Sequence, residues 1–190
     1  MKNNIEDYVL VIPNNIPTNI CVDVISRLDN VGWERHRYYD NGERTKESKN
    51  GEQEFFVSAD ETVGSILNQY ISNSFNSYFE NFPELLSRMT AFSPPRFNKY
   101  TTNTLMDKHV DHIRSIFMDG DDDRPRGIPV LSSLSILNDD YSGGEFIMFD
   151  DTVIKTDIGT TIVFPSNFLY PHKVNPITDG VRYSCVSWGV

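Results

Sequence analysis

From Pro94-Pro95 onward the sequence breaks into short β-prone runs separated by Gly, Asn and Asp. The runs cover 96–101, 106–110, 128–137, 144–149, 153–156, 161–164, 172–174 and 182–188. Many short strands at such spacing suit an antiparallel sandwich or barrel. Ahead of the proline pair the pattern is helical. Thr18 is placed to cap a helix running to residue 28, with Ile20, Val24 and Leu28 on one face. A longer helix is expected over 59–79. Its apolar positions, Val63, Ile66, Leu67, Tyr70, Ile71, Phe75, Tyr78 and Phe79, recur mostly at spacings of three and four, and Pro83 bounds it. A short helical piece is expected over 84–89. The expected fold is mainly β with N-terminal helices (α+β), a single domain over 1–190. Residues 1–93 supply helical support, and 94–190 form a two-layer β core. One strong helix in fewer than 95 residues is a poor independent core.

The chain has 190 residues, enough to bury roughly 70% of its unfolded surface without disulfides. Lysine and arginine number 17 against 27 acidic residues, a formal charge of −10. Binding driven by phosphate contacts needs basic residues to displace counterions, so a nucleic-acid partner is not expected. Cys21 and Cys185 are the only cysteines, too few and too separated for a disulfide scaffold or a thiolate zinc site. Residues 1–12 do not read as a signal peptide. No run of 18 apolar residues suggests a membrane helix. The expected location is the cytoplasm, or a host's cytoplasm for a viral chain. Two polar loops, 33–51 and 118–127, are candidate lids. The second carries Asp119, Asp121, Asp122 and Asp123.

Four histidines occur, at 36, 109, 112 and 172. His109-Val110-Asp111 puts an imidazole and a carboxylate at i and i+2, which share one face of a strand. His172 opens a later strand. Two imidazoles and one carboxylate on one face of an octahedral ion leave three positions open, as non-haem Fe(II) requires. A buried histidine bonded to a carboxylate is the structural alternative for the pair alone. Arg182 and Ser184 share a strand face ten residues beyond His172. An arginine fork with a hydroxyl suits the far carboxylate of a dicarboxylic cosubstrate. Tyr100 offers a phenol to the same group.

These stretches resemble the 2-oxoglutarate and Fe(II)-dependent oxygenases, in their prolyl 4-hydroxylase-like branch of short microbial and viral type. The likeness rests on Tyr100 through His109-Val110-Asp111, on Tyr141-Ser142-Gly143-Gly144-Glu145-Phe146, and on Pro171-His172-Lys173-Val174 followed by Gly180-Val181-Arg182-Tyr183-Ser184. It implies a double-stranded β-helix, a jelly roll. It implies that His109, Asp111 and His172 ligate iron and form the catalytic centre. Arg182 would pair with the far carboxylate of 2-oxoglutarate, helped by Tyr100 and Ser184. The implied activity is oxidative decarboxylation of 2-oxoglutarate coupled to hydroxylation of a C–H bond, on a prolyl residue of a peptide or protein. Fe(II), 2-oxoglutarate and O₂ are then required, with ascorbate as reductant. Another amino-acid side chain or a small molecule is the alternative substrate, and a metal-free jelly-roll binding module the alternative function. A second tyrosine common in the family is Met106 here. Collagen hydroxylases of the human type use lysine at Arg182.

The Gly143-Gly144 pair reads as a turn. The strand after it is expected to line the pocket with Glu145, Ile147 and Phe149. Trp188 and Tyr183 are expected in the core, and His36 and His112 at the surface. If the acidic 118–127 loop meets the substrate, that substrate should be basic.

Overall fold

A computed structural model describes residues 4–37, 39–40, 43–44, 50–84, 89–112 and 127–190. Its helices are α1 (Thr18–Leu28), α2 (Glu61–Ser65) and α3 (Asn68–Asn81). Its strands are β1 (Leu10–Ile12), β2 (Glu34–Arg35), β3 (Tyr39–Asp40), β4 (Glu43–Arg44), β5 (Phe56–Ser58), β6 (Arg96–Tyr100), β7 (Met106–His109) and β8 (Leu131–Ile136). There follow β9 (Ser142–Gly143), β10 (Phe146–Met148), β11 (Thr152–Val153), β12 (Thr161–Pro165), β13 (His172–Val174), β14 (Ile177–Asp179) and β15 (Arg182–Gly189).

The apolar periodicity of 59–79 does form helix, in two pieces. Asp60 caps the first by accepting from the Val63 amide at 2.9 Å. The amides of Ile66 and Leu67 then bond back only three residues, to Val63 and Gly64. This tightened turn re-aims the chain before α3 begins. At α1, Pro17 rather than Thr18 holds the capping position, and no side chain caps it. Pro17 needs no amide partner there. The expected 84–89 helix falls largely outside the described residues.

Two sheets face each other. The larger has seven strands in the order β1-β12-β8-β15-β6-β5-β2, the smaller four in the order β11-β10-β13-β7. All pairings between these strands are antiparallel. This is the jelly-roll architecture. Three strands of the larger sheet, β1, β2 and β5, come from the first 93 residues. That segment therefore does more than supply helical support. Each of these strands has two or three residues, too short to carry a readable alternation before a partner is known.

Strand alternation sorts the larger sheet's side chains into two cores. Phe97, Tyr183, Cys185 and Val163 pack with Phe75, Tyr78 and Leu67 beneath the helices. Tyr100, Leu134, Ile136, Phe164 and Val186 face the smaller sheet, meeting Phe146, Met148 and Val174. Serines keep the shared strand β8 slim. Ser133 bonds Ser74 of α3 at 2.9 Å, and Ser135 bonds Thr161 at 2.7 Å. Of the two candidate lids, 33–51 contributes β2 to the larger sheet and the β3–β4 hairpin. Its residues 38, 41–42 and 45–49 lie outside the described residues, as do 118–126. Among the described residues no helix is long and apolar enough to cross a membrane.

Candidate active site

His172 on β13 and His109 on β7 stand directly opposite in the register of the smaller sheet. Their rings are 4.2 Å apart. His172 Nδ1 donates to the Tyr170 carbonyl at 3.1 Å, and His109 Nδ1 to the Asp107 carbonyl at 2.8 Å. A carbonyl can only accept, so these bonds leave each Nε2 with its lone pair outward. Both Nε2 atoms turn to one oxygen of Asp111, at 3.4 Å from His109 and 3.7 Å from His172. The other oxygen accepts from the Ser132 hydroxyl at 2.7 Å, and Ser132 bonds Ser166 at 2.8 Å. The three ligand atoms lie within 4.8 Å of one another. β7 ends at His109, so Asp111 sits just past the strand rather than on it. Ser132, from the opposite sheet, holds it.

Burial and its neighbours set the charges. Burial alone raises the Asp111 carboxyl, but the His172 and His109 rings, when protonated, and the Ser132 hydroxyl hold it well below the usual carboxylate range. Burial, reinforced by His109, pushes His172 down to about 4 against the pull of Asp111. Phe146 and Phe164 enclose that ring at 5.5 Å and 5.0 Å. A neutral imidazole beside an ionised carboxylate is the form in which both bind a divalent metal. Donor identity, tautomer and convergence all fit Fe(II).

A narrow cavity, open to solvent at one side, extends from this trio between the sheets. Arg182, Tyr100 and Met106 line it, and Arg182 is only 1% exposed. Its guanidinium lies 5.2 Å from the centre of the Tyr100 ring. Its Nη1 donates to Ser184 at 3.1 Å, while Nε and Nη2 have no hydrogen-bond partner among the described residues. A buried cation with two open donors fits an anionic ligand. Burial pushes the Tyr100 phenol up to about 12, against the opposing pull of Arg182. It therefore stays protonated as a donor.

A family model for the 2OG-Fe(II) oxygenase superfamily matches residues 95–189. The chain belongs to that superfamily. A PKHD-type hydroxylase of Alteromonas mediterranea is 30% identical over 125 residues, covering 63% of this chain and 54% of that protein. One of Pseudomonas paraeruginosa is 38% identical over 100 residues, covering 50% and 42%. The chain thus spans about half the length of the curated relatives it matches. Its fold is shared with a viral collagen prolyl hydroxylase from Paramecium bursaria Chlorella virus-1 in a 2OG complex, at a TM-score of 0.63 and 15% identity, covering 95% and 94% of the two chains. A prolyl hydroxylase from Trichoplax adhaerens, bound to a hypoxia inducible factor peptide, gives 0.65 at 16% identity, with 95% and 82% covered.

Several sequence expectations need correcting. His36 is not a surface residue. It is buried, paired with the fully buried Glu54 at 3.2 Å and stacked on Phe55 at 4.5 Å. Burial pushes it down to about 4. Phe55 stacks in turn on Tyr100 at 4.4 Å. The pocket-facing residue of β10 is Phe146, not Glu145, Ile147 or Phe149. Glu145 is exposed and accepts from Asn175 at 3.0 Å. Trp188 lines the cavity, whereas Tyr183 joins the helix-side core. His112 is exposed, as expected. Ser132, Asn98 and Arg96 were not foreseen at the site. Serine at 132, 133 and 135 within an otherwise apolar strand was the available signal for the first.

Proposed function

We propose that this oxygenase decarboxylates 2-oxoglutarate and hydroxylates a C–H bond of a prolyl residue in a peptide or protein. The observation that carries the reading is the pairing, in one cavity, of the His109–Asp111–His172 trio with the buried guanidinium of Arg182, whose Nε and Nη2 have no partner among the described residues. In this reading His109, Asp111 and His172 hold Fe(II). Arg182 takes the far carboxylate of 2-oxoglutarate through Nε and Nη2, with Ser184 fixing the fork and Tyr100 bounding it. When bound, iron with 2-oxoglutarate and O₂ supplies the oxidation, and the cosubstrate leaves as succinate and CO₂. The chain's own share is orientation and dryness. The carbonyls of Asp107 and Tyr170 hold the imidazoles, Ser132 holds the carboxylate, and Phe146, Phe164 and Leu134 exclude water. Ascorbate would serve as reductant. The PKHD-type and prolyl hydroxylase names of the relatives support the substrate class.

The acidic excess of the chain supports a basic partner, with 33–51 and 118–127 as its clamp. The substrate's KM should then rise with salt. Incubation with prolyl peptides, Fe(II), 2-oxoglutarate and ascorbate should yield succinate and a product 16 Da heavier, on the order of one added oxygen. His109→Ala and Asp111→Ala should abolish both. Full succinate formation in either variant refutes the assignment.

A further inference from the structure

Four adjacent strands of the larger sheet, in the order β15-β6-β5-β2, each bring one residue to a single line across the sheet. Arg182 lies opposite Tyr100. Phe56 pairs with Lys99 and Arg35 with Phe56, so Phe55 and His36, one step along, continue the line. The His36 amide donates to the Phe55 carbonyl at 2.8 Å. Neighbouring strands lie about 4.8 Å apart, and flat side chains in such a line can stack. These do. The rings of His36 and Phe55 are 4.5 Å apart at 16°, those of Phe55 and Tyr100 4.4 Å apart at 13°. The Arg182 guanidinium is 5.2 Å from the Tyr100 ring centre. Residues one step off the line, Arg35, Phe56, Lys99 and Tyr183, belong to the other face of the sheet.

Phe55, Tyr100 and Arg182 line the cavity, and His36 stands behind them. Arg182 is a long, flexible side chain with one hydrogen bond, to Ser184. The face of Tyr100 supplies its other restraint. Tyr100 in turn is pressed by Phe55, which is 1% exposed. The outer end of the line is fixed by hydrogen bonding. His36 Nδ1 and an oxygen of the fully buried Glu54 are 3.2 Å apart, and the other Glu54 oxygen accepts from the Asn50 amide at 3.3 Å. Arg35 Nη1 donates to the Glu52 and Glu54 carbonyls at 2.7 and 3.0 Å, tying β2 to the residues ahead of β5. An aliphatic residue would fill the place of His36 without the cost of burying two polar side chains. What the His36–Glu54 pair adds is a plane held at one tilt. Both His36 and Phe55 precede the segment 95–189 that the family model matches.

We infer that His36 and Phe55 are positioning residues for the cosubstrate: through the stacked line they hold Tyr100 and Arg182 in the orientation that receives the far carboxylate of 2-oxoglutarate. This rests on the proposed oxygenase reading. Their effect is confined to that carboxylate, because His109 and His172 stand on β7 and β13 of the smaller sheet.

Titration calorimetry on the full chain loaded with Mn(II), without O₂, tests it with two probes. One is 2-oxoglutarate; the other is 2-oxopentanoate, the same keto acid without the far carboxylate. Phe55→Leu keeps an apolar residue but no plane. It should weaken 2-oxoglutarate roughly three- to tenfold, the worth of a stacked aromatic pair, and leave Mn(II) and 2-oxopentanoate binding unchanged. His36→Asn keeps an amide donor for Glu54 but no ring. It should weaken 2-oxoglutarate roughly two- to fivefold from outside the cavity, again with 2-oxopentanoate unchanged. In an Arg182→Met background, adding Phe55→Leu should alter neither probe further, since no guanidinium is left to position. Thermal melting of the empty variants shows which have folded, and if one has not, the other decides. Undiminished 2-oxoglutarate binding in the folded variants, an equal loss of both probes, or a Phe55→Leu effect that persists without Arg182 overturns the inference alone. Failure of the unaltered Mn(II) protein to prefer 2-oxoglutarate over 2-oxopentanoate removes the oxygenase reading as well.

Discussion

Replacing Arg182 with methionine should have opposite effects on the empty and the loaded protein. The side chain is only 1% exposed and makes one hydrogen bond, from Nη1 to Ser184, while Nε and Nη2 have none among the described residues. Each buried donor without a partner costs about 1–3 kcal/mol. Methionine keeps the apolar stem, removes both donors and forfeits the Ser184 bond. The empty protein should gain about 1–3 kcal/mol, or roughly 2–10 °C in Tm for a chain of this size. The loaded protein loses two charge-assisted bonds to the cosubstrate, roughly 3–6 kcal/mol, which weakens 2-oxoglutarate by about two to four orders of magnitude. Differential scanning calorimetry with Mn(II), with and without 2-oxoglutarate, reads both effects. Arg182→Met should melt higher when empty and show no cosubstrate shift. A lower empty Tm together with a retained shift refutes the reasoning.

Ser132→Ala removes the donor to Asp111 and should weaken Mn(II) binding about ten- to a hundredfold; an unchanged titration argues against that role. His36 sits at about 4 when folded and near 6.5 when unfolded, so the unfolded chain takes up the proton first. Stability is therefore full above about 6.5 and falls as pH drops towards 4, by about 3 kcal/mol from this group at most. Urea midpoints against pH should be flatter for His36→Gln than for the natural protein, and parallel curves exclude the mechanism. Gly159 has φ +80°, and a Cβ there would come 2.1 Å from the Ile16 carbonyl oxygen. Gly159→Ala should destabilise by about 2–4 kcal/mol in denaturant titration, and a neutral result would show that this turn yields.

The site was legible where chemistry depends on local spacing. His109 and Asp111 are two apart, and Arg182 and Ser184 share a strand, so each pair could be read before any fold was known. What escaped depends on distant approach. Ser132 reaches Asp111 across 21 positions, and His36 is buried because Glu54, 18 residues on, and Phe55 cover it. Arg96 reads as an ordinary strand residue, and only the pairing of β6 with β15 sets its guanidinium 4.8 Å from the centre of the Trp188 ring. In the fold, periodicity located the helices but missed the tightened turn at Ile66 and Leu67. The apolar spacing runs on through a change of hydrogen-bond pattern that side-chain type does not reveal. β1, β2 and β5 were missed because a strand of two or three residues is defined by its partner.

The contribution of the first 93 residues to the larger sheet separates two notions of a unit. The segment matched by the family, 95–189, carries every catalytic candidate, yet it is not a portable piece. Excising it would strip β1 from β12 and β5 from β6, leaving four strands with both borders unzipped. Bare backbone on β6 and β12 would invite pairing between copies. The far side, with Phe97, Tyr183 and Cys185, would lose its helical cover. The matched half holds the candidate chemistry, but strands from outside it complete the sheet on which that chemistry stands.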